Sequence, residues 1–112
     1  MGDLLNLSAS EARAIRKADK GKEVEDTIES TVVGKAERAG WFTRKVAWTG
    51  RTSAPDRVFI KDGRTVWIEF KRAKKKAVGL QAKEGQEMMD HGAEWHSVNT
   101  IADGLRILGL DP

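Results

Sequence analysis

Two carboxylates and a lysine lie at a spacing that favours phosphoester chemistry. Asp56 follows Pro55, and after twelve intervening residues the chain reads Glu69-Phe70-Lys71. Because side chains along a strand alternate between its faces, Glu69 and Lys71 lie on the same face. Carboxylates near a backbone carbonyl suit Mg²⁺, and an adjacent lysine can orient a water molecule and offset charge growing on a phosphate. The alternative interpretation is an exposed Glu-x-Lys ion pair without a catalytic role.

A β-hairpin is the element that must bring these groups together. Residues 57–60 and 65–70 are rich in β-branched and aromatic residues, and they flank Asp62-Gly63, a strong hairpin signal. In an antiparallel hairpin the start of one strand lies beside the end of the other. The pattern therefore predicts that Asp56 meets Glu69 and Lys71.

The remaining elements are predicted from periodicity and from cap residues. A helix over residues 22–39 has apolar residues at every fourth position (Val24, Ile28, Val32 and Ala36) and ends at Gly40. An earlier helix opens at a capping box, Ser8 with Glu11, and closes at Gly21. Further predictions are strands over 41–48 and 95–98, a helix over 80–91, and a helix over 101–108 capped by Asn99 or Thr100. The predicted order is α-α-β-β-β-α-β-α: an α/β fold with a mixed sheet flanked by helices.

Charge and composition narrow the function classes. The 112 residues include no cysteine and two histidines, which excludes disulfide scaffolds and Cys-based zinc sites. Residues 44–76 contain eleven bases and three acids, a local charge of +8 in a chain of net charge +3. Such a segment suits a polyanion, although a solvated basic surface would look the same. No apolar run approaches a membrane span, so we expect a soluble cytoplasmic protein without a membrane partner.

The combined pattern resembles the PD-(D/E)xK nucleases, and more narrowly the virus-type replication-repair nuclease (VRR-NUC) domain. The resemblance covers about residues 22–98, most of the chain. It is carried by Ala54-Pro-Asp-Arg-Val58, the Asp-Gly hairpin, Val66-Trp-Ile-Glu-Phe-Lys71, Gln81 at the start of a helix, and Gly92 before a short strand. It implies the PD-(D/E)xK nuclease fold, which we expect over residues 22–112. Residues 1–21, predicted as an N-terminal helical extension, precede the family core, and their role does not follow from the resemblance.

Specific roles follow from the resemblance. It implies that Asp56, Glu69 and the Phe70 carbonyl bind Mg²⁺ or Mn²⁺ and that Lys71 assists the nucleophile. Gln81 would support the site, and a carboxylate would come from the helix over residues 22–39: Glu29 matches the family position best, with Glu25 as the alternative. The basic charge of residues 44–76, rather than the resemblance, leads us to expect DNA contacts from Arg51, Arg57, Arg72, Lys74, Lys75 and Lys76; the run Lys74-Lys75-Lys76 is a departure from the family pattern.

The most specific of these expectations concerns the substrate. Short stand-alone members of the resembled family, typical of phages, imply homodimers that cut branched DNA such as four-way junctions. If phage-encoded, the protein would act in the host cytoplasm. The apolar residues Leu4, Leu5, Leu7 and Ile15 are candidates for dimer contacts or for covering the core. The alternatives are a nickase or flap-processing nuclease of the same fold, and a basic module that binds nucleic acid without cutting it.

The four tryptophans have two possible roles. Trp41, Trp48, Trp67 and Trp95 all fall on predicted strands, where aromatic residues usually belong to the core. Stacking on nucleobases is the less frequent alternative. Trp67 is the exception to watch because it shares a strand face with Glu69 and Lys71.

Overall fold

The computed structural model describes residues 24–111. Three helices and four strands follow one another along this part of the chain: α1 (Glu25–Arg38), β1 (Phe42–Lys45), β2 (Arg57–Lys61), β3 (Arg64–Phe70), α2 (Gly79–Asp90), β4 (Glu94–Val98) and α3 (Ile101–Ile107). The observed order α-β-β-β-α-β-α matches the prediction from its second helix onward. The predicted first helix, the extension over residues 1–21 and its apolar residues lie outside the described residues.

The four strands form one mixed sheet in the order β1-β2-β3-β4. β1, β2 and β3 are antiparallel neighbours, and β4 joins β3 in parallel after the α2 crossover. The β2–β3 turn has positive φ at both Asp62 (50°) and Gly63 (82°), the backbone that a two-residue type I′ turn requires. This turn fixes the register, which pairs Arg57 at the start of β2 with Ile68 near the end of β3.

Helices cover both faces of the sheet. Ile28 and Val32 of α1 and Leu105 of α3 pack with the inward-facing residues Phe59, Val66, Ile68, Phe70 and Val98 to form the core. Gly104 allows α3 to approach α1, since a Cβ there would lie 2.8 Å from a Val32 methyl group. On the opposite face Gly85 of α2 packs against the Trp95 ring, with an added Cβ only 2.3 Å from it. The carboxyl end of β3 therefore lies in a sheet supported from both sides.

Several boundaries differ from the predictions, for local reasons. β1 ends at Lys45, so Trp48 belongs to the loop, where its indole hydrogen-bonds to a carboxylate. Trp41 is buried just before β1, whereas Trp67 and Trp95 are half-buried. Val24 is not part of the buried stripe: it precedes the first turn of α1 and is 43% exposed.

The end of the fold follows its prediction closely. Thr100 is the N-cap of α3, and its side chain accepts a hydrogen bond from the Asp103 amide, which decides between the two predicted cap residues. Within residues 24–111 no helix has the length and apolar character needed to cross a membrane.

Candidate active site

Asp56 is anchored at the end of β3 by a backbone hydrogen bond. The Phe70 amide donates to Asp56 Oδ2 over 2.7 Å. The Asp56 carboxylate therefore lies beside the peptide that links Glu69 to Phe70, although Asp56 itself precedes β2. Asp56 therefore lies next to residue 69, as the hairpin predicts.

Glu69 and Lys71 form an ion pair at the same point. Lys71 Nζ lies 2.9 Å from Glu69 Oε2, with the two side chains 18% and 3% exposed. The Lys71 amide donates to the Val98 carbonyl over 2.7 Å, so backbone pairing with β4 extends past the end of β3. Lys71 therefore has a fixed backbone, and its ammonium group is held against a buried carboxylate.

Both carboxylates are in surroundings that disfavour their charged forms. Burial is the main cause that raises the pKa of Asp56, and Glu29 raises it further, while the Phe70 hydrogen bond, Lys71 and Lys45 lower it. Burial also raises the pKa of Glu69, with added repulsion from Asp56 and Glu25 and with Lys71 opposing. Asp56 raises the pKa of Glu69, so these two like charges lie close together, and a cation between them would relieve the repulsion.

The donor set suits a hard divalent cation. Mg²⁺ prefers oxygen ligands and is usually held by one or two carboxylates, with water and substrate oxygens completing its shell. Asp56 and Glu69 provide two carboxylates beside the Phe70 backbone. Within the described residues no three His, Asp or Glu side chains gather into a metal-binding group. A metal here would thus rest on the Asp56–Glu69 pair together with backbone oxygen.

The carboxylate from α1 is held by two basic residues. Glu29 Oε2 lies 2.9 Å from Arg57 Nε and 3.1 Å from Lys45 Nζ. Glu29 is buried and its negative charge raises the pKa of Asp56. Glu25 is exposed and its negative charge raises the pKa of Glu69. Two glutamates of α1, Glu25 and Glu29, are therefore close enough to the carboxylate pair to affect its pKa values. Lys45 was not predicted to belong here, because its position gives no sequence signal.

The lysine-rich segment after β3 is fixed against β4. The Ala77 amide donates to Ser97 Oγ over 2.9 Å, and Asn99 Nδ2 donates to the Lys75 carbonyl over 2.5 Å. Ser97 is the β4 residue in register with Glu69. The exposed residues Arg72, Lys74, Lys75 and Lys76 therefore lie in a loop anchored directly beside the carboxylate pair.

The other predicted site residues have distinct surroundings. Arg57 is directed to Glu29 rather than to solvent, with its side chain 19% exposed. Arg51 is exposed and bound to Glu84. Gln81 is half-buried near the start of α2. The roles given to Arg51, Arg57 and Gln81 stay predictions.

A contact that sequence reasoning missed joins the loop after β1 to α2. Glu84 accepts hydrogen bonds from Trp48 Nε1 over 2.7 Å and from Arg51 Nη2 over 3.0 Å. The Trp48 ring lies 6.1 Å from the Trp67 ring, centroid to centroid, on the face of β3 that carries Glu69. No sequence spacing connects positions 48 and 84, since the contact depends on how α2 packs.

Comparison with known proteins supports the fold. A solved structure described as a VRR_NUC domain matches with a TM-score of 0.62 and 20% sequence identity, covering 91% of this chain and 97% of that chain. No protein-family model matches the sequence, and no curated protein matches it. The chain has the fold of a VRR_NUC domain, and the predicted PD-(D/E)xK-type α/β architecture is confirmed.

Proposed function

We propose that this protein is a metal-dependent nuclease that hydrolyses DNA phosphodiester bonds. The observation that carries the proposal is the convergence of Asp56, Glu69 and Lys71 at one end of the β2–β3 pair. Burial of two repelling carboxylates costs folding free energy, and it is typical of a site that gains a positively charged ligand. The VRR_NUC fold supports the same class of function.

Each residue of the site has a definite part in this proposal. Asp56, Glu69 and the Phe70 carbonyl hold Mg²⁺ or Mn²⁺, which when bound supplies Lewis-acid polarisation of the phosphate. Lys71 orients the attacking water and offsets the negative charge that grows on the phosphate. Glu29 adds negative charge beside Asp56 and fixes Arg57 and Lys45, while Gln81 supports the site from α2.

The anchored lysine loop favours DNA as the partner. Four exposed bases at positions 72, 74, 75 and 76 lie next to the carboxylates and can neutralise phosphates on either side of the scissile bond. Because contacts of this kind carry no base information, the protein would recognise DNA structure rather than sequence. We place branched DNA, and in particular the four-way junction, as the substrate, with a homodimer acting on two symmetric strands.

The test is cleavage of labelled four-way junction, flap and linear duplex DNA in Mg²⁺, Mn²⁺ or EDTA. We expect paired symmetric nicks on the junction that require metal and are lost in Asp56→Ala and Lys71→Ala, both of which should still bind DNA. Cleavage confined to flaps or ends would keep the nuclease and reject junction resolution. Equal binding with and without EDTA, and no cleavage of any substrate, would instead indicate a binding module.

A further inference from the structure

A groove lined by charged and hydroxyl-bearing side chains and by Leu80 runs between the loop over residues 49–53 and α2, outside the carboxylate pair. It encloses about 330 Å³ and is lined by Arg51, Thr52, Ser53, Leu80, Lys83, Glu84 and Glu87. A second depression of about 220 Å³ shares three of these residues and continues along α2 to Met88 and His91. Glu84 in the wall of the groove accepts a hydrogen bond from Trp48, whose ring lies 6.1 Å from that of Trp67, two residues before Glu69, so the groove is connected to the strand that carries the site.

The wall of the groove is held in place rather than loosely packed. Glu84, with its side chain 14% exposed, binds Arg51, and its other oxygen binds Trp48. Ser53 has a φ of 73°, an uncommon backbone conformation for a residue other than glycine. Such conformations persist where surrounding contacts impose them, and they concentrate at functional sites. The loop is therefore tied to α2 by two hydrogen bonds to a single carboxylate.

The chemistry of the lining matches a nucleotide better than a bare phosphate backbone. Arg51 and Lys83 can meet a phosphate, but Glu84 and Glu87 lie beside them, so the charged lining has no net positive charge. The two hydroxyl groups and the Glu87 carboxylate can bond to the polar edge of a base. Leu80, 67% exposed, offers an apolar surface for its ring.

We infer that this groove binds an unpaired nucleotide of the DNA substrate, next to the bond that is cut. The inference rests on the proposed nuclease function and adds the feature of DNA that the protein selects. A base within a duplex is stacked and paired, so its edge and ring cannot enter such a groove. A bulge or a flap exposes unpaired bases, and a four-way junction exposes them where the base pairs at its centre open, so that protein side chains can contact them.

The test uses two duplexes of the same sequence, one fully paired and one with a single unpaired 2-aminopurine. Binding by the full chain is measured in EDTA from the fluorescence of that base, with a distant label reporting binding of the paired duplex. We expect the bulged duplex to bind at least about fivefold more tightly, the lower end of the range for base stacking on protein side chains. Equal affinity for the two duplexes would overturn the inference.

A matched pair of variants locates the preference. Val78 and Leu80 are both apolar and both 67% exposed, but only Leu80 lines the groove. Leu80→Ala should reduce the preference to about twofold or less, whereas Val78→Ala should keep it. Equal loss in both variants, or loss in neither, would show that the groove is not the source.

Cleavage of the same two duplexes in Mg²⁺ and Mn²⁺ separates this inference from the proposed function. Equal cleavage of the two duplexes would support the nuclease function and reject the inference that the groove binds an unpaired nucleotide. A binding preference that depends on Leu80, without any cleavage, keeps the groove and rejects the nuclease.

Discussion

The two ends of strand β3 each carry a cluster of charged residues, and the clusters behave in opposite ways. At the start, Arg64 donates two hydrogen bonds to Glu94, at 3.0 and 2.6 Å, and a third to the Ile107 carbonyl at 2.8 Å. His96 lies 2.9 Å from the same carboxylate. At the other end, Asp56 and Glu69 approach one another with Lys71 as the ion-pair partner of Glu69.

The pKa values of the carboxyl groups are shifted in opposite directions at the two ends of β3. The hydrogen bond from Arg64 is the main cause that lowers the pKa of Glu94 to about 2. Burial raises the pKa of both Asp56 and Glu69. The first cluster is electrostatically satisfied and ties β3 to β4 and to the end of α3. The second has a surplus of negative charge that a cation from outside would balance, which is why we place the chemistry there.

The largest expected effect is on catalysis, at the carboxyl end of β3. Asp56→Asn keeps an oxygen that can accept the Phe70 amide but removes the charge that a metal needs. DNA cleavage should fall at least a hundredfold, the order seen when a group that stabilises transition-state charge is removed. Cleavage is measured from single-turnover rates in Mn²⁺. A variant that cuts within about tenfold of the wild-type rate would remove Asp56 from the chemistry.

A smaller effect, on the free energy of unfolding, is expected at the start of β3, where Arg64 binds Glu94. Glu94→Gln weakens the paired hydrogen bonds from Arg64 and should lower the free energy of unfolding by about 1 kcal/mol, the upper value for a partly exposed ion pair. The melting temperature should fall by about 4 °C, with the single-turnover cleavage rate preserved at a temperature where both proteins are folded. Loss of cleavage by the folded variant would contradict the separation of the two ends.

The smallest effect is a difference in how stability depends on pH. Glu94 has a lowered folded pKa, so its contribution is complete above about pH 4.5 and is lost as the pH falls towards about 2. Asp56 and Glu69 have raised folded pKa values, so their charged forms oppose folding above those values, and the cost disappears on acidification.

Denaturant unfolding near pH 7 and near pH 3 measures this difference. The deficit of Glu94→Gln relative to wild type should shrink at the lower pH. Asp56→Asn should be as stable as wild type or more stable near pH 7, and this advantage should shrink on acidification. On acidification, the stability relative to wild type should therefore rise for Glu94→Gln and fall for Asp56→Asn. A shift of this relative stability in the same direction for both variants would mean that the two ends are electrostatically alike.

Most of the fold could be predicted from short-range patterns. The Asp62-Gly63 turn requires positive φ and so fixes the hairpin, and Thr100 has a side chain that caps the helix after it. Boundaries were predicted less well where packing decides them. The segment from Trp41 to Trp48, rich in aromatic and β-branched residues, looks like a single strand, but β1 ends at Lys45 and the Trp48 indole turns to Glu84.

The site was predictable where its residues share a hairpin and unpredictable where they do not. Strand alternation places Glu69 beside Lys71, and antiparallel pairing brings Asp56 to them, so sequence spacing was sufficient. Lys45 and Glu84 reach their positions only through the packing of β1 on β2 and of α2 on the sheet. Their partners are distant in sequence and have no characteristic spacing.

Calorimetric titration with Mn²⁺ near pH 7 tests the central claim most directly, since it requires neither a chosen DNA substrate nor turnover. The wild-type protein and Glu94→Gln should bind Mn²⁺ with the same stoichiometry, and Asp56→Asn should show at least about a tenfold loss of affinity. Equal binding by Asp56→Asn and wild type, or loss of binding in Glu94→Gln alone, would contradict the assignment of the carboxyl end of β3 as the metal-dependent site.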